Sequence, residues 1–150
     1  MSLKFAPCGI SCPQARKHFF RKVQMTAAPS PEREIQVVYV DDEPDLCGCF
    51  AENLQLDGIE VLTFTSPEEA ISFLSANPRA CRALFTDMQM PRIDGFALLD
   101  GIPIRDYPVF LVSGHADASF EKAALQKGFK KIYKKPIDFD LLVQDLKDVL

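Results

Sequence analysis

Residues 35–44 read Ile35-Gln36-Val37-Val38-Tyr39-Val40-Asp41-Asp42-Glu43-Pro44. The first six are rich in β-branched residues and apolar at nearly every position, the pattern of a strand covered on both faces. Three acids then break the run at once, and Pro44 suits the first turn of a helix. A buried strand that ends in carboxylates and feeds a helix is the unit from which the rest of the chain is read.

That unit recurs downstream. After Pro44, Leu46, Cys49, Phe50 and Leu54 fall at helical spacing, and Asp57-Gly58 ends the segment. Residues 59–64 read as a second strand. Ser66-Pro67-Glu68-Glu69 is a helix start, with an N-cap serine, proline at the first helical position and acids in the first turn. Ala70, Ile71 and Leu74 carry that helix toward Asn77-Pro78. Residues 81–86 form a third strand that stops at Asp87, and residues 95–101 a short helix carrying Phe96, Leu98 and Leu99. A fourth strand covers 108–113, with Gly114 directly after it. Residues 117–127 make a helix carrying Phe120, Ala123, Ala124 and Leu125, capped by Gly128. Residues 131–134 are a short fifth strand, and 138–150 the last helix, with Leu141, Leu142, Leu146 and Val149 on one side.

Strand and helix thus alternate five times through short connections. Such alternation predicts an α/β fold with a parallel sheet and helices on both faces. Right-handed crossovers make a doubly wound sheet the simplest closure. In such folds the site lies beyond the carboxyl ends of the strands, where strand order reverses.

Composition bounds what that domain can be. The 150 residues are 47% hydrophobic and 25% charged, ordinary for one globular domain. No apolar run approaches the ~18 residues of a membrane span. The net charge of -4 argues against nucleic acid as the main partner. The charge is unevenly placed: residues 1–34 carry six basic and two acidic residues, while residues 35–150 carry eleven basic and nineteen acidic ones. The sequence therefore divides into a basic leader, 1–34, expected to be disordered, and an acidic domain, 35–150. The leader lacks the apolar core of a secretory signal. Arg and Lys without acids do resemble a transit peptide, but an untethered terminal tail is the simpler reading.

Five cysteines, an odd number without repeated spacing, fit a reducing cytoplasm rather than a disulfide framework. Cys8, Cys12 and His18 invite a metal, yet a closed zinc site wants four ligands, and the leader offers three. Cys47 and Cys49 lie on the first helix, where Cys49 is expected to pack inward and Cys47 to face out.

The residues just past the strands carry the chemistry. Asp41 and Asp42, with Glu43, follow the first strand, Asp87 the third, Ser113 and Gly114 the fourth, and Lys135 and Pro136 the fifth. Crowded carboxylates resist ionising together unless a cation neutralises them. A hard cation with oxygen ligands, Mg²⁺ above all, suits such a set. A carboxylate can also accept a phosphoryl group, and that transfer needs a metal and a fixed positive charge. Single acids at strand ends are commonly helix N-caps. Three of them sharing a rim with Lys135 and Ser113 are harder to explain that way. Lys127, Lys130, Lys131 and Lys134 read as an exposed basic face.

Val40-Asp41-Asp42-Glu43-Pro44, Thr86-Asp87-Met88-Gln89-Met90-Pro91-x-x-Asp94-Gly95, Val112-Ser113-Gly114-His115 and Lys134-Lys135-Pro136, in this order, resemble the response-regulator receiver domain. The resemblance covers the whole acidic part and implies a flavodoxin-like sheet of order 2-1-3-4-5 with five helices. It implies Asp87 as the residue phosphorylated by a sensor histidine kinase or a histidine phosphotransfer protein. It implies Mg²⁺ held by Asp41, Asp42, Asp87 and the backbone carbonyl of Gln89. Lys135 would pair with the phosphoryl group and Ser113 would be the switch hydroxyl. Gln89 and His115 match positions that tune loss of the phosphate. With no sequence after Leu150 for an output domain, the resemblance implies a cytoplasmic stand-alone receiver that docks a downstream protein, not an enzyme in the metabolic sense. It leaves open a homodimer formed on phosphorylation.

One position departs from the family pattern. Three residues before the lysine the family usually has an aromatic, and here it is Ile132, with Tyr133 one place later. A one-residue shift puts a strand side chain on the other face, so Tyr133 is not expected to substitute. Ile132 therefore favours an alternative, a phosphorylation-independent interaction module on the same fold. A third reading, a phosphohydrolase of the haloacid-dehalogenase type, wants a second acid two residues after the nucleophile, where this chain has Gln89.

Overall fold

The computed structural model describes residues 35–150, and the expectations for the leader, with Cys8, Cys12 and His18, lie outside the described residues. The elements alternate without exception: β1 (Val37–Val40), α1 (Pro44–Gln55), β2 (Val61–Phe64), α2 (Pro67–Ala76), β3 (Ala83–Asp87), α3 (Gly95–Asp100), β4 (Val109–Ser113), α4 (Ala118–Lys127), β5 (Lys131–Lys134) and α5 (Phe139–Lys147). The five strands form one sheet of order β2-β1-β3-β4-β5, with parallel pairing throughout. Consecutive strands run outward in both directions from the β1/β3 pair, so the carboxyl ends of those two strands flank the point where strand order reverses.

Alternation along each strand divides the core in two. Val38, Val40, Leu84, Val109 and Leu111 face one side and meet Ala70 and Leu74 of α2, Leu98 and Leu99 of α3, and Ala124 of α4. Val37, Tyr39, Phe85, Phe110, Val112 and Tyr133 face the other, against Phe50 and Leu54 of α1 and Leu142 and Leu146 of α5. The period of two along β-strands thus makes the central strands apolar at consecutive positions.

Local chemistry sets the helix ends. Ser66, Asp94, Asp117 and Asp138 each accept a hydrogen bond from the backbone amide three residues on, starting α2, α3, α4 and α5. Gly128 ends α4 at φ 118°, a left-handed conformation that glycine adopts without a Cβ clash.

Several expectations are corrected. Cys47 is the inward cysteine of α1, and Cys49 is only half-buried. The apolar stripe runs through Leu46, Cys47, Phe50 and Leu54, and Cys47 lies three residues before Phe50 on that face. On α5, Val143 is buried where Leu141 was expected, and Leu141 is 44% exposed. On α4 only Ala124 is buried, and Leu125 faces outward. Strand β3 runs through Asp87 rather than stopping before it. The lysine face is partly neutralised: Lys127 pairs with Asp100 and Lys131 with Asp145.

Candidate functional site

Parallel strands ending in step deliver the acids to one place. Asp41 directly follows β1, and Asp87 is the last residue of β3, so the adjacent pairing of β1 with β3 brings the two carboxyls together. One carboxylate oxygen from each of Asp41, Asp42 and Asp87 lies within 4.8 Å of the others. Asp41 is fully buried, Asp87 is 6% exposed and Asp42 is half-buried.

Lys135, just after β5, supplies the positive charge. Its ammonium lies 2.9 Å from Asp87 Oδ1 and 3.6 Å from Asp41 Oδ2. Its backbone N–H donates to the carbonyl of Ser113 at 2.9 Å, which ties the lysine to the end of β4. Ser113 ends β4, is 4% exposed, and turns its hydroxyl to the following loop. There Oγ donates to the His115 carbonyl at 2.8 Å and accepts from the His115 N–H at 3.1 Å.

Beside the cluster, and reaching it at Asp42, lies a groove of about 680 Å³ whose lining includes Gln89, Ser113 and His115 together with Met88, Met90 and Phe120. Gln89 and His115 are exposed on its rim. Every residue singled out past a strand end therefore reaches the same end of the sheet. Ile132 lies on the α2–α3–α4 side, the side of Val109 and Leu111, whose alternation along β4 continues to Ser113. Tyr133 lies on the opposite side, with α1 and α5.

The helix-cap account of the acids is not met. The N-cap residues of α1 and α3 are Glu43 and Asp94, and Glu43 makes no side-chain cap bond. Asp41 Oδ1 instead accepts from the Glu43 N–H at 2.9 Å, which fixes the carboxylate without capping α1.

Charge crowding is written into the electrostatics. Burial pushes the Asp87 carboxyl up to about 6; the Lys135 hydrogen bond opposes this, and the charges of Asp41 and Asp42 add to it. Burial pulls Lys135 downward, but its hydrogen bond to Asp87 and the charges of Asp87, Asp41 and Glu43 outweigh that and hold it above the usual lysine range. The cluster thus carries one firmly charged cation against three acids. That deficit of positive charge, with an all-oxygen donor set beside open groove, fits a hard divalent cation such as Mg²⁺.

Two neighbours of Asp41 escape a reading based on motifs. Tyr39 is fully buried, stacks on Phe50 with ring centroids 4.0 Å apart, and donates its hydroxyl to Asp41 Oδ2 at 2.7 Å. Burial, and then the charge of Asp41, push its phenol far above the usual range, so it stays a donor. Cys47 donates its thiol to the Asp41 carbonyl at 3.2 Å, and burial pushes that thiol up to about 12. Residues two apart on a strand share a face, and this was the available signal for Tyr39. For Cys47 the signal was its position on the Phe50 face of α1.

The chain has relatives in both sequence and fold. The family model described as response regulator receiver domain matches residues 37–147. The C4-dicarboxylate transport transcriptional regulatory protein DctD of Rhizobium meliloti is 36% identical over 125 residues, covering 82% of this chain and 25% of that protein. The nitrogen assimilation regulatory protein NtrX of Azorhizobium caulinodans is 33% identical over 111 residues, covering 71% of this chain and 24% of that protein. The chain thus spans about a quarter of the length of these curated relatives. Among solved structures, a response regulator receiver domain protein from Clostridium thermocellum superposes with a TM-score of 0.69 at 26% identity, covering 76% of this chain and 92% of that one.

Proposed function

The chain belongs to the response regulator receiver domain family, the phosphoacceptor module of two-component signalling, and on that premise we propose that Asp87 is its phosphorylation site. The 2.9 Å contact between Lys135 and Asp87, made inside the cluster of Asp41, Asp42 and Asp87, is the observation that carries this reading.

Response regulators are phosphorylated by histidine kinases. In this chain an Asp87 carboxylate oxygen attacks the phosphorus of a phosphohistidine on a sensor kinase or phosphotransfer protein. A P–O bond forms as the P–N bond breaks, and the imidazole leaves. Asp41, Asp42, Asp87 and the Gln89 carbonyl would hold Mg²⁺, which when bound would supply positive charge to the transferring oxygens. Lys135 already stands at Asp87 and neutralises a phosphoryl oxygen there without reorganising. Ser113 gives up its bonds to His115 and turns toward the phosphoryl group. Gln89 and His115, on the groove rim, govern the approach of water and so the lifetime of the phosphate. Self-catalysed gain and loss of phosphate are slow chemistry serving a switch that docks a downstream protein.

Incubation of the protein with Mg²⁺ and a small acyl phosphate, followed by intact mass measurement, tests the assignment. The expected result is one added phosphoryl group on the wild type and none on Asp87→Asn. No addition to the wild type, or equal addition to both, overturns it.

The interaction-module alternative rests on Ile132 and on the placement of Tyr133 against α1 and α5. A partner that binds wild type and Asp87→Ala equally, with or without phosphodonor, would support it. The retained acid cluster weighs against it, because a passive scaffold gains nothing from buried charges held close together.

A further inference from the structure

We propose that Tyr39 is a positioning residue for the metal site, orienting the Asp41 carboxylate by fixing one of its two oxygens. The inference rests on the reading of Asp41 as a Mg²⁺ ligand and adds a residue to it.

Each Asp41 oxygen has its own donor. Oδ1 accepts from the Glu43 backbone N–H at 2.9 Å, and Oδ2 accepts from the Tyr39 hydroxyl at 2.7 Å. Asp41 is wholly buried, so water does not compete for these bonds. A carboxylate tethered at one oxygen can still turn about that bond, whereas one tethered at both presents a fixed edge to the cluster. Tyr39 is itself immobile: it is fully buried and stacked on Phe50, whose ring also packs against Phe85 and Phe139. The stacked Phe50 ring thus holds the phenol, and the phenol holds the acid.

The same bond directs Lys135. Tyr39 occupies Asp41 Oδ2 at 2.7 Å, while the lysine ammonium stands 3.6 Å from that oxygen and makes its close contact, 2.9 Å, with Asp87. Without the phenol, Oδ2 would be a bare buried acceptor and a competing site for the ammonium. The hydroxyl therefore both holds a ligand in place and leaves the lysine to the residue proposed to react. Hydrogen-bond partners of metal-binding side chains commonly change metal affinity 10–100-fold when removed.

The test uses wild type, Tyr39→Phe and a core control from the same cluster, Phe110→Leu. Each is titrated with Mg²⁺ alone, followed by backbone amide NMR and paired with thermal unfolding. Tyr39→Phe is expected to stay folded, to move the Glu43 amide resonance in the metal-free protein, and to bind Mg²⁺ about 10–100-fold more weakly. Phe110→Leu is expected to unfold at lower temperature and to keep wild-type Mg²⁺ affinity. Equal affinity of wild type and Tyr39→Phe overturns the proposal. So does a parallel loss in both variants, or failure of Tyr39→Phe to fold, since each makes the hydroxyl a general structural member. Absence of Mg²⁺ binding by the wild type removes the metal-site reading instead. The metal-free Glu43 resonance then still decides whether Tyr39 orients Asp41: a shift upholds that orientation, and an unmoved resonance overturns it.

Discussion

Tyr133 and Asp145 are joined by a 2.7 Å hydrogen bond on the side of the sheet away from Ile132. Lys131 donates to the same Asp145 oxygen and stands 5.1 Å from the centre of the Tyr133 ring. The only aromatic on β5 is thus committed to fastening α5, and its hydroxyl is engaged there.

From that commitment follows the effect of Tyr133→Phe. Phosphate uptake from a small donor is expected to match wild type, because the lost hydroxyl is not on the Ser113 side. Stability is expected to fall by about 1 kcal/mol, the usual net worth of one such hydrogen bond. Urea unfolding and mass-detected phosphorylation of the same preparation check both halves. A clear change in phosphorylation rate would place Tyr133 in the switch after all.

Asp87 carries a pH dependence whose sign can be worked out. Its carboxyl titrates near 6 in the folded protein against 3.8 as the ordinary value, chiefly through burial. Between those values the native state holds more protons than the unfolded one, so stability falls as pH rises from about 4 to 6 and remains reduced above that. In metal-free protein, Asp87→Asn removes the penalty while keeping an acceptor for Lys135. The variant is expected to exceed wild type at pH 7 by on the order of 1–3 kcal/mol, with the gap closing below about pH 4. Denaturant titrations at a series of pH values in chelator measure it. A wild type more stable than Asp87→Asn at pH 7 would contradict the account.

Held by the cluster as proposed, Mg²⁺ is expected to stabilise the fold by neutralising the crowded charges of Asp41, Asp42 and Asp87. A cation that binds only the folded state at ten times its dissociation constant adds about 1.4 kcal/mol, or roughly 5 °C in Tm for a domain of this size. Asp42→Asn, which alters the half-buried member of the cluster, is expected to raise the metal-free Tm slightly and to abolish most of the Mg²⁺ response. Thermal scans with Mg²⁺, with Ca²⁺ and with chelator read the difference. An unchanged response in Asp42→Asn would remove that residue from the ligand set.

Why some of this could be read from the chain and some could not comes down to which signals are local. Strand ends were visible because apolar runs stop abruptly at charge, as at Val40-Asp41 and Phe85-Thr86-Asp87. Since parallel strands in such a sheet end on one side, the acids, Ser113 and Lys135 could be grouped before any contact was known. Helix phase is less local. Cys47 and Cys49 differ by two positions, and which one turns inward depends on how α1 lies over β1 and β2 rather than on either thiol. Leu141 is as apolar as Leu142, yet α5 settles with Leu142, Val143 and Leu146 in the core shared with α1 and leaves Leu141 outside it. The Tyr39–Asp41 bond was hidden for another reason: a motif read by its charges passes over a tyrosine that looks like one more core residue.

Two glycines test how tightly the site is built. At Gly95, the first residue of α3, a Cβ would come within 2.9 Å of the Asp87 carbonyl oxygen and 3.2 Å of Met88 Cα. Those are backbone atoms of the strand end that presents Asp87, so they can yield only by moving the site. Gly95→Ala is expected to cost about 1–3 kcal/mol and to slow phosphorylation, since relieving the clash displaces the Asp87 peptide. Gly48 sits within α1, and a Cβ added there would meet nothing within 4 Å. Gly48→Ala is expected to stabilise by roughly 0.5–1 kcal/mol through helix propensity alone, leaving phosphorylation unchanged. Urea midpoints and phosphorylation rates for the pair check this. If Gly95→Ala lost stability without slowing phosphate uptake, the start of α3 would be packed against the site but would not help to shape it.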